Sequence, residues 1–119
     1  MLEAVKARKT YGDVVALEGL DLSVGAGDAV CLLGANGAGK STTTNLFLGF
    51  IAPDTGSVRV GGVSPTQEPE AARHQIAYIP ENVALYPALS GRENLCYLDE
   101  LCGHQRDEVF LVAQLEEAA

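Results

Sequence analysis

One run constrains this chain more than any other: Gly34-Ala35-Asn36-Gly37-Ala38-Gly39-Lys40-Ser41. It fits G-x-x-x-x-G-K-[ST], the Walker A phosphate loop. Each part has a physical reason. Polyphosphate oxygens need several N–H donors converging on them, so the loop must wind closely around its ligand without intruding Cβ atoms. Gly34, Gly37 and Gly39 permit that path, including positive φ angles. Ala35, Asn36 and Ala38 fill the remaining loop positions and contribute backbone donors. The loop opens into a helix N-terminus, where unpaired N–H groups and partial positive charge favour anions. Lys40 brings a mobile point charge to the β- and γ-phosphates. The Ser41 hydroxyl is placed to ligate Mg²⁺ bridging those phosphates. Thr42 follows as a donor to the α-phosphate. The bland alternative is a glycine-rich strand-to-helix turn with an incidental lysine.

The flanking pattern suits such a loop. Ala29-Val30-Cys31-Leu32-Leu33 is continuously apolar, as expected of a strand buried on both faces of a parallel sheet. From Lys40 the pattern turns helical, with Leu46, Phe47 and Phe50 spaced to share a face and Gly49 and Pro53 as stop signals. Upstream, Leu20, Leu22 and Val24 alternate with Asp21 and Ser23, which predicts a half-buried strand. Residues 2–8 are its expected partner, making the opening antiparallel. Further along, Ser57–Val60 and Ile76–Ile79 read as strands, 67–74 as a short helix, and 91 onward as two helical pieces divided near Gly103. The apolar run Val109–Leu115 lacks a Gly, Asn or Pro terminator, so the expectation is the front part of a longer protein.

Composition narrows the partners. The 119 residues carry 8 Lys+Arg against 16 Asp+Glu, a net charge of −8. Residues 1–60 hold 5 basic and 6 acidic groups and residues 61–119 hold 3 and 10, so the acidity sits in the second half. A broad nucleic-acid surface needs clustered cations and is not expected. Any phosphate must therefore be held locally, by backbone donors and one or two cations. No apolar run approaches the ~20 residues of a membrane-crossing helix. Cys31, Cys96 and Cys102 fit no common zinc spacing and are expected to be buried, reduced thiols.

Residues 1–95 resemble the N-terminal part of ATP-binding-cassette (ABC) transporter ATPase subunits. The resemblance rests on Thr10-Tyr11-Gly12 with Ala16-Leu17, the loop GANGAGKSTT, Pro53-Asp54-Thr55-Gly56-Ser57-Val58, and Tyr78-Ile79-Pro80-Glu81. It continues through Ala84-Leu85-Tyr86-Pro87 and Leu89-Ser90-Gly91-Arg92-Glu93-Asn94-Leu95. It implies an α/β fold: a P-loop NTPase core with an N-terminal antiparallel β subdomain over 1–90, then the start of a helical subdomain over 91–119. ATP and Mg²⁺ are the implied cofactors. Tyr11 matches the aromatic that stacks on adenine, the alternative being a core or turn tyrosine, and Ala16 lines the same pocket. Glu81 stands where many members have Gln and would ligate Mg²⁺ beside Ser41; the alternative is a surface carboxylate after Pro80. His104 reads as a loop residue.

The resemblance also implies partners: a membrane-spanning transporter subunit, which chooses the substrate, and a second nucleotide-binding subunit. That places the protein in the cytoplasm, peripheral on the inner face of the cell membrane, in an exporter-like branch. The run 80–93 is also similar to a copper-related branch serving nitrous-oxide reductase maturation. The family's signature motif, Walker B carboxylates and switch histidine are absent from these 119 residues, so little or no hydrolysis is expected of the chain alone. The alternatives are a non-functional truncated fragment, or a phosphate-loop GTPase or small-molecule kinase. The GTPase lacks its Asn-Lys-x-Asp base-reading motif here, and the kinase its basic lid.

Overall fold

The computed structural model describes residues 1–82, 85–101, 110 and 113. Two compact units emerge, Met1–Tyr78 and Ile79–Ala119.

In the first unit, strands β1 (Leu2–Tyr11), β2 (Val14–Val24) and β3 (Thr55–Val60) form an antiparallel sheet in the order β2-β1-β3. The hairpin β1–β2 pairs from Leu2 opposite Val24 to Tyr11 opposite Val14, with three shifts of register along the way. On the other edge of β1, Leu2 faces Val60 and Arg8 faces Thr55. The expected alternation in β2 is present: Leu20, Leu22 and Val24 are half-buried while Asp21 and Ser23 are exposed.

The period of two breaks in β1, where Ala4 and Ala7 are both buried. A bulge around Lys6 shifts the register with β2 between Ala4 and Ala7 and the register with β3 between Val5 and Arg8. Lys6 adopts φ 46°, and its backbone N–H, taken out of the ladder, donates to Asp21 Oδ1 at 2.8 Å. Ala4 and Ala7 then join Leu17, Val58 and Val60 on one face, where Leu46 and Phe47 of helix α1 (Lys40–Phe47) pack against them. Ala72, on the short helix α2 (Pro69–Arg73), completes this core.

Helix α1 stops by a Schellman arrangement. Gly49, at φ 72°, donates to Leu46 O at 3.2 Å, and Phe50 N donates to Asn45 O at 3.0 Å. Phe50 therefore leaves the helix and is exposed, rather than sharing the buried face of Leu46 and Phe47.

Two expectations are corrected. Ala29–Leu33 forms no strand and is exposed throughout, Leu33 by 87%. Ile76–Ile79 likewise forms no strand. A parallel-type strand needs a hydrogen-bonding neighbour and cover on both faces; among the described residues nothing pairs with either segment. Cys31 is consequently an exposed free thiol rather than a buried one, and Cys96 is half-buried and free.

The second unit is built on helix α3 (Gly91–Leu101). Ser90 and Glu93 form a reciprocal capping box at its start: Glu93 Oε2 accepts from Ser90 N and Ser90 Oγ at 2.7 Å each, and Glu93 N donates to Ser90 Oγ at 3.2 Å. Asn94, only 3% exposed, ties the preceding segment to the helix. Its Oδ1 accepts from Tyr86 N at 2.7 Å, and its Nδ2 donates to the carbonyls of Tyr86, Leu89 and Ser90 at 3.0–3.1 Å. The rings of Tyr86 and Tyr97 meet edge to face, centroids 5.0 Å apart. The second helical piece, Cys102, His104 and most of the apolar run 109–115 lie outside the described residues. Among the described residues, no helix is long and apolar enough to cross a membrane.

Candidate functional site

The loop of residues 34–41 is shaped by its glycines, for different reasons. Gly37 and Gly39 hold φ 87° and 85°, the left-handed region that L side chains rarely enter. Gly34 does not; a Cβ there would stand 2.9 Å from Ala38 Cβ, so contact excludes a larger residue. Gly39 is buried where the loop meets β2, and a Cβ on it would lie 2.6 Å from both Ala16 O and Leu17 Cδ2. Ala16 is the extra residue of the third irregularity in the β1–β2 ladder, since Lys9 opposes Leu17 and Thr10 opposes Val15. That irregularity turns the Ala16 backbone toward the loop.

Past Gly39 the chain enters α1 at once. Thr43 N donates to Gly39 O at 2.8 Å, and the buried Thr43 hydroxyl donates to the same oxygen at 2.9 Å. No side chain caps this N-terminus and its first turn carries no acid. The contrast with α3, capped by Ser90 and Glu93, is chemical. One helix has its first N–H groups satisfied internally, and the other presents them, with the positive end of its dipole, to whatever sits in the loop.

Lys40 bends back across the loop. Its Nζ donates to Gly34 O at 2.6 Å and Ala35 O at 2.8 Å. An ammonium has three N–H donors, so this seat leaves one for an anion. Lys40 and the exposed Ser41 share a cavity of about 290 Å³ with Leu32, Thr44, Asn45 and Tyr78. Thr42 is half-buried beside them in sequence.

Tyr11 ends β1 opposite Val14, two residues along β2 from the Ala16 carbonyl that backs Gly39. Half of the tyrosine is exposed, and Lys9 Nζ lies over its ring at 5.7 Å from the centroid. Glu81 is exposed and belongs to the other compact unit. Among the described residues, no group of three or more His, Cys, Asp or Glu side chains is arranged to hold a metal ion.

Several residues of consequence carried no assigned role in the sequence reading. Thr44 and Asn45 line the cavity, and Thr43 closes the first turn of α1. The capping box was legible as Ser-x-x-Glu ahead of a helical run. Asn94 had no local signal.

A glycine loop braced on a strand and opening into an uncapped helix, with Lys and Ser at its mouth, defines the P-loop NTPase class. Comparison with known proteins narrows this. Residues 17–118 match the ABC transporter family, and the chain belongs to it. It is 38% identical over 103 residues to the linearmycin resistance ATP-binding protein LnrL of Bacillus subtilis (strain 168), covering 87% of this chain and 33% of that protein. It is 40% identical over 96 residues to the daunorubicin/doxorubicin resistance ATP-binding protein DrrA of Streptomyces peucetius, covering 81% and 29%. A solved structure of the ATP-binding subunit of an ABC transporter superposes with a TM-score of 0.77 at 35% identity, covering 88% of this chain and 44% of that one. The chain thus spans about a third of the length of these curated relatives. Family membership sets aside the GTPase and small-molecule kinase readings.

Proposed function

We propose that this chain binds Mg-ATP as part of the nucleotide-binding subunit of an ABC transporter. The carrying observation is the uncapped, acid-free start of α1 beneath the Gly34–Lys40 loop. Backbone donors from 34–42 hold the β- and γ-phosphates, Lys40 supplies the charge, and Thr42 reaches the α-phosphate. Tyr11 stacks its open face on adenine, as an aromatic can without reading hydrogen bonds.

Mg²⁺ fits the donors present. It takes hard oxygens, keeps several waters and commonly uses one or two protein ligands plus phosphates, so the exposed Ser41 hydroxyl beside Lys40 suits it without a carboxylate cage. When bound, the ion would neutralise charge between the phosphates. Glu81 is the second ligand in this reading, on the strength of its place after Tyr78-Ile79-Pro80.

The working assembly pairs this subunit with a second nucleotide-binding subunit and a membrane-spanning subunit, at the cytoplasmic face of the membrane. The resistance roles in the names of LnrL and DrrA support an exporter-like branch. ATP binding would close the two cassettes and hydrolysis reopen them, with water activation supplied by residues beyond the loop.

Titration calorimetry of Mg-ATP against Lys40→Ala tests the site. A charge-assisted hydrogen bond is worth about 1.5–3 kcal/mol, so affinity falls roughly 10- to 150-fold. Equal affinity for both proteins would refute it.

A further inference from the structure

Asp54 lies between α1 and β3, far in sequence from the hairpin, yet it grips the end of β1 at several points. Its Oδ2 accepts from Thr10 N and Thr10 Oγ1 at 2.7 Å each, and its Oδ1 accepts from Lys9 Nζ at 2.9 Å. The Asp54 backbone N–H also donates to Arg8 O at 2.8 Å. Residues 8, 9 and 10 are thus all anchored to one aspartate, immediately before Tyr11.

The consequence falls on the ring. Lys9 Nζ cannot wander while Asp54 holds it; its side chain is only 17% exposed despite the charge. It is held over one face of Tyr11 at 5.7 Å from the centroid, a cation–π distance. Tyr11 is 50% exposed, so with the cation over one face the opposite face is the one left to a ligand. We infer that Asp54, acting through Thr10 and Lys9, is the positioning residue that fixes the orientation of Tyr11 and so selects which ring face receives the purine. Asp54 sits a few residues past the end of α1 and Tyr11 beside the strand that backs the loop. This inference rests on the proposed stacking of Tyr11 on adenine.

The test compares ATP with inorganic tripolyphosphate, each with Mg²⁺, by calorimetry on the full 119-residue chain. Tripolyphosphate engages the loop and lacks the base. Asp54→Asn keeps an acceptor for Thr10 and releases Lys9; Lys9→Met removes the cation and leaves the Thr10 bonds. Both variants are expected to weaken ATP roughly 3- to 10-fold, the scale of one misplaced aromatic contact. Tripolyphosphate affinity should stay within about twofold, because the loop itself is untouched. In a Tyr11→Ala background neither substitution should change ATP binding further. A purely structural role would lower both ligands together, and that result, or unchanged ATP affinity in both variants, overturns the inference. If Tyr11→Ala itself leaves ATP affinity intact, the stacking reading fails and the inference with it. If Tyr11→Ala weakens ATP while Asp54→Asn and Lys9→Met do not, the positioning role alone is lost.

Discussion

Gly37 and Gly39 share nearly the same backbone angle, so replacing each by alanine separates conformational strain from packing. At Gly37, φ is 87° and a new Cβ would meet nothing within 4 Å. The cost there is the left-handed conformation alone, about 1–2 kcal/mol. Reduced freedom of the unfolded chain offsets roughly 0.4–1 kcal/mol of it. Gly39→Ala carries the same two contributions plus a collision. Its Cβ would lie 2.6 Å from Ala16 O and from Leu17 Cδ2, where ordinary contact begins at 3.4 Å, so about 0.8 Å must be recovered. Leu17 is buried in the core and has little room to turn, while Ala16, unpaired in its bulge, can yield in part. Overpacking of this kind costs about 1–3 kcal/mol. Gly39→Ala should therefore unfold at lower urea than Gly37→Ala by the equivalent of about 2 kcal/mol, with unchanged m values. Gly37→Ala should weaken ATP binding while leaving most of the stability in place. If the two variants unfold at the same urea concentration, the loop is not braced on β2 in the way described.

What was legible in the sequence was mostly short-range. The phosphate loop and the start of α1 depend on glycines, a lysine and a helix within a dozen residues, and all of these are visible as a pattern. The β1–β2 hairpin follows from alternation and a turn at Gly12-Asp13. The bulges were hidden because an extra residue in a ladder leaves no compositional mark, and one of them decides that Ala16 faces the loop. Asp54 lay in plain view inside Pro53-Asp54-Thr55-Gly56, but its bonds to Lys9 and Thr10 span 44–45 residues and no periodicity reports them. The misreading at Ala29–Leu33 has a related cause. An unbroken apolar run records the environment a segment is suited to, whereas a strand forms only when a neighbour supplies the other half of each hydrogen bond. Among the described residues that neighbour is missing, and Val30, Leu32 and Leu33 face solvent.

The remaining perturbations address the anchors of each unit. Glu93→Ala should lower helix content and the melting temperature through loss of the capping box, whereas Glu93→Gln, which still accepts from Ser90, should lose much less; circular dichroism melts distinguish them. Asp54 has its carboxyl lowered from 3.8 to about 2, first by the hydrogen bond from Lys9 and then by those from Thr10. Its contribution to stability is thus present above about pH 4 and lost as pH falls through about 2, and Asp54→Asn should remove that part of the acid dependence of the urea midpoint. Asn94→Ala makes the sharpest demand on the second unit, because this buried side chain both donates and accepts around Tyr86. Removing it strips the partner from Tyr86 N–H and from the Leu89 carbonyl, at about 1–3 kcal/mol for each group left unsatisfied, while the Tyr86 carbonyl keeps the Leu89 N–H at 3.1 Å. Water can enter once the cap is gone, so the net loss should be nearer 2–4 kcal/mol than the sum. The Tyr86 amide is the informative probe. It donates to Asn94 Oδ1 and should exchange with solvent deuterium much faster in the variant, while amides of the β1–β3 sheet keep their rates. Unchanged Tyr86 exchange would mean that the segment before α3 is held by something other than Asn94.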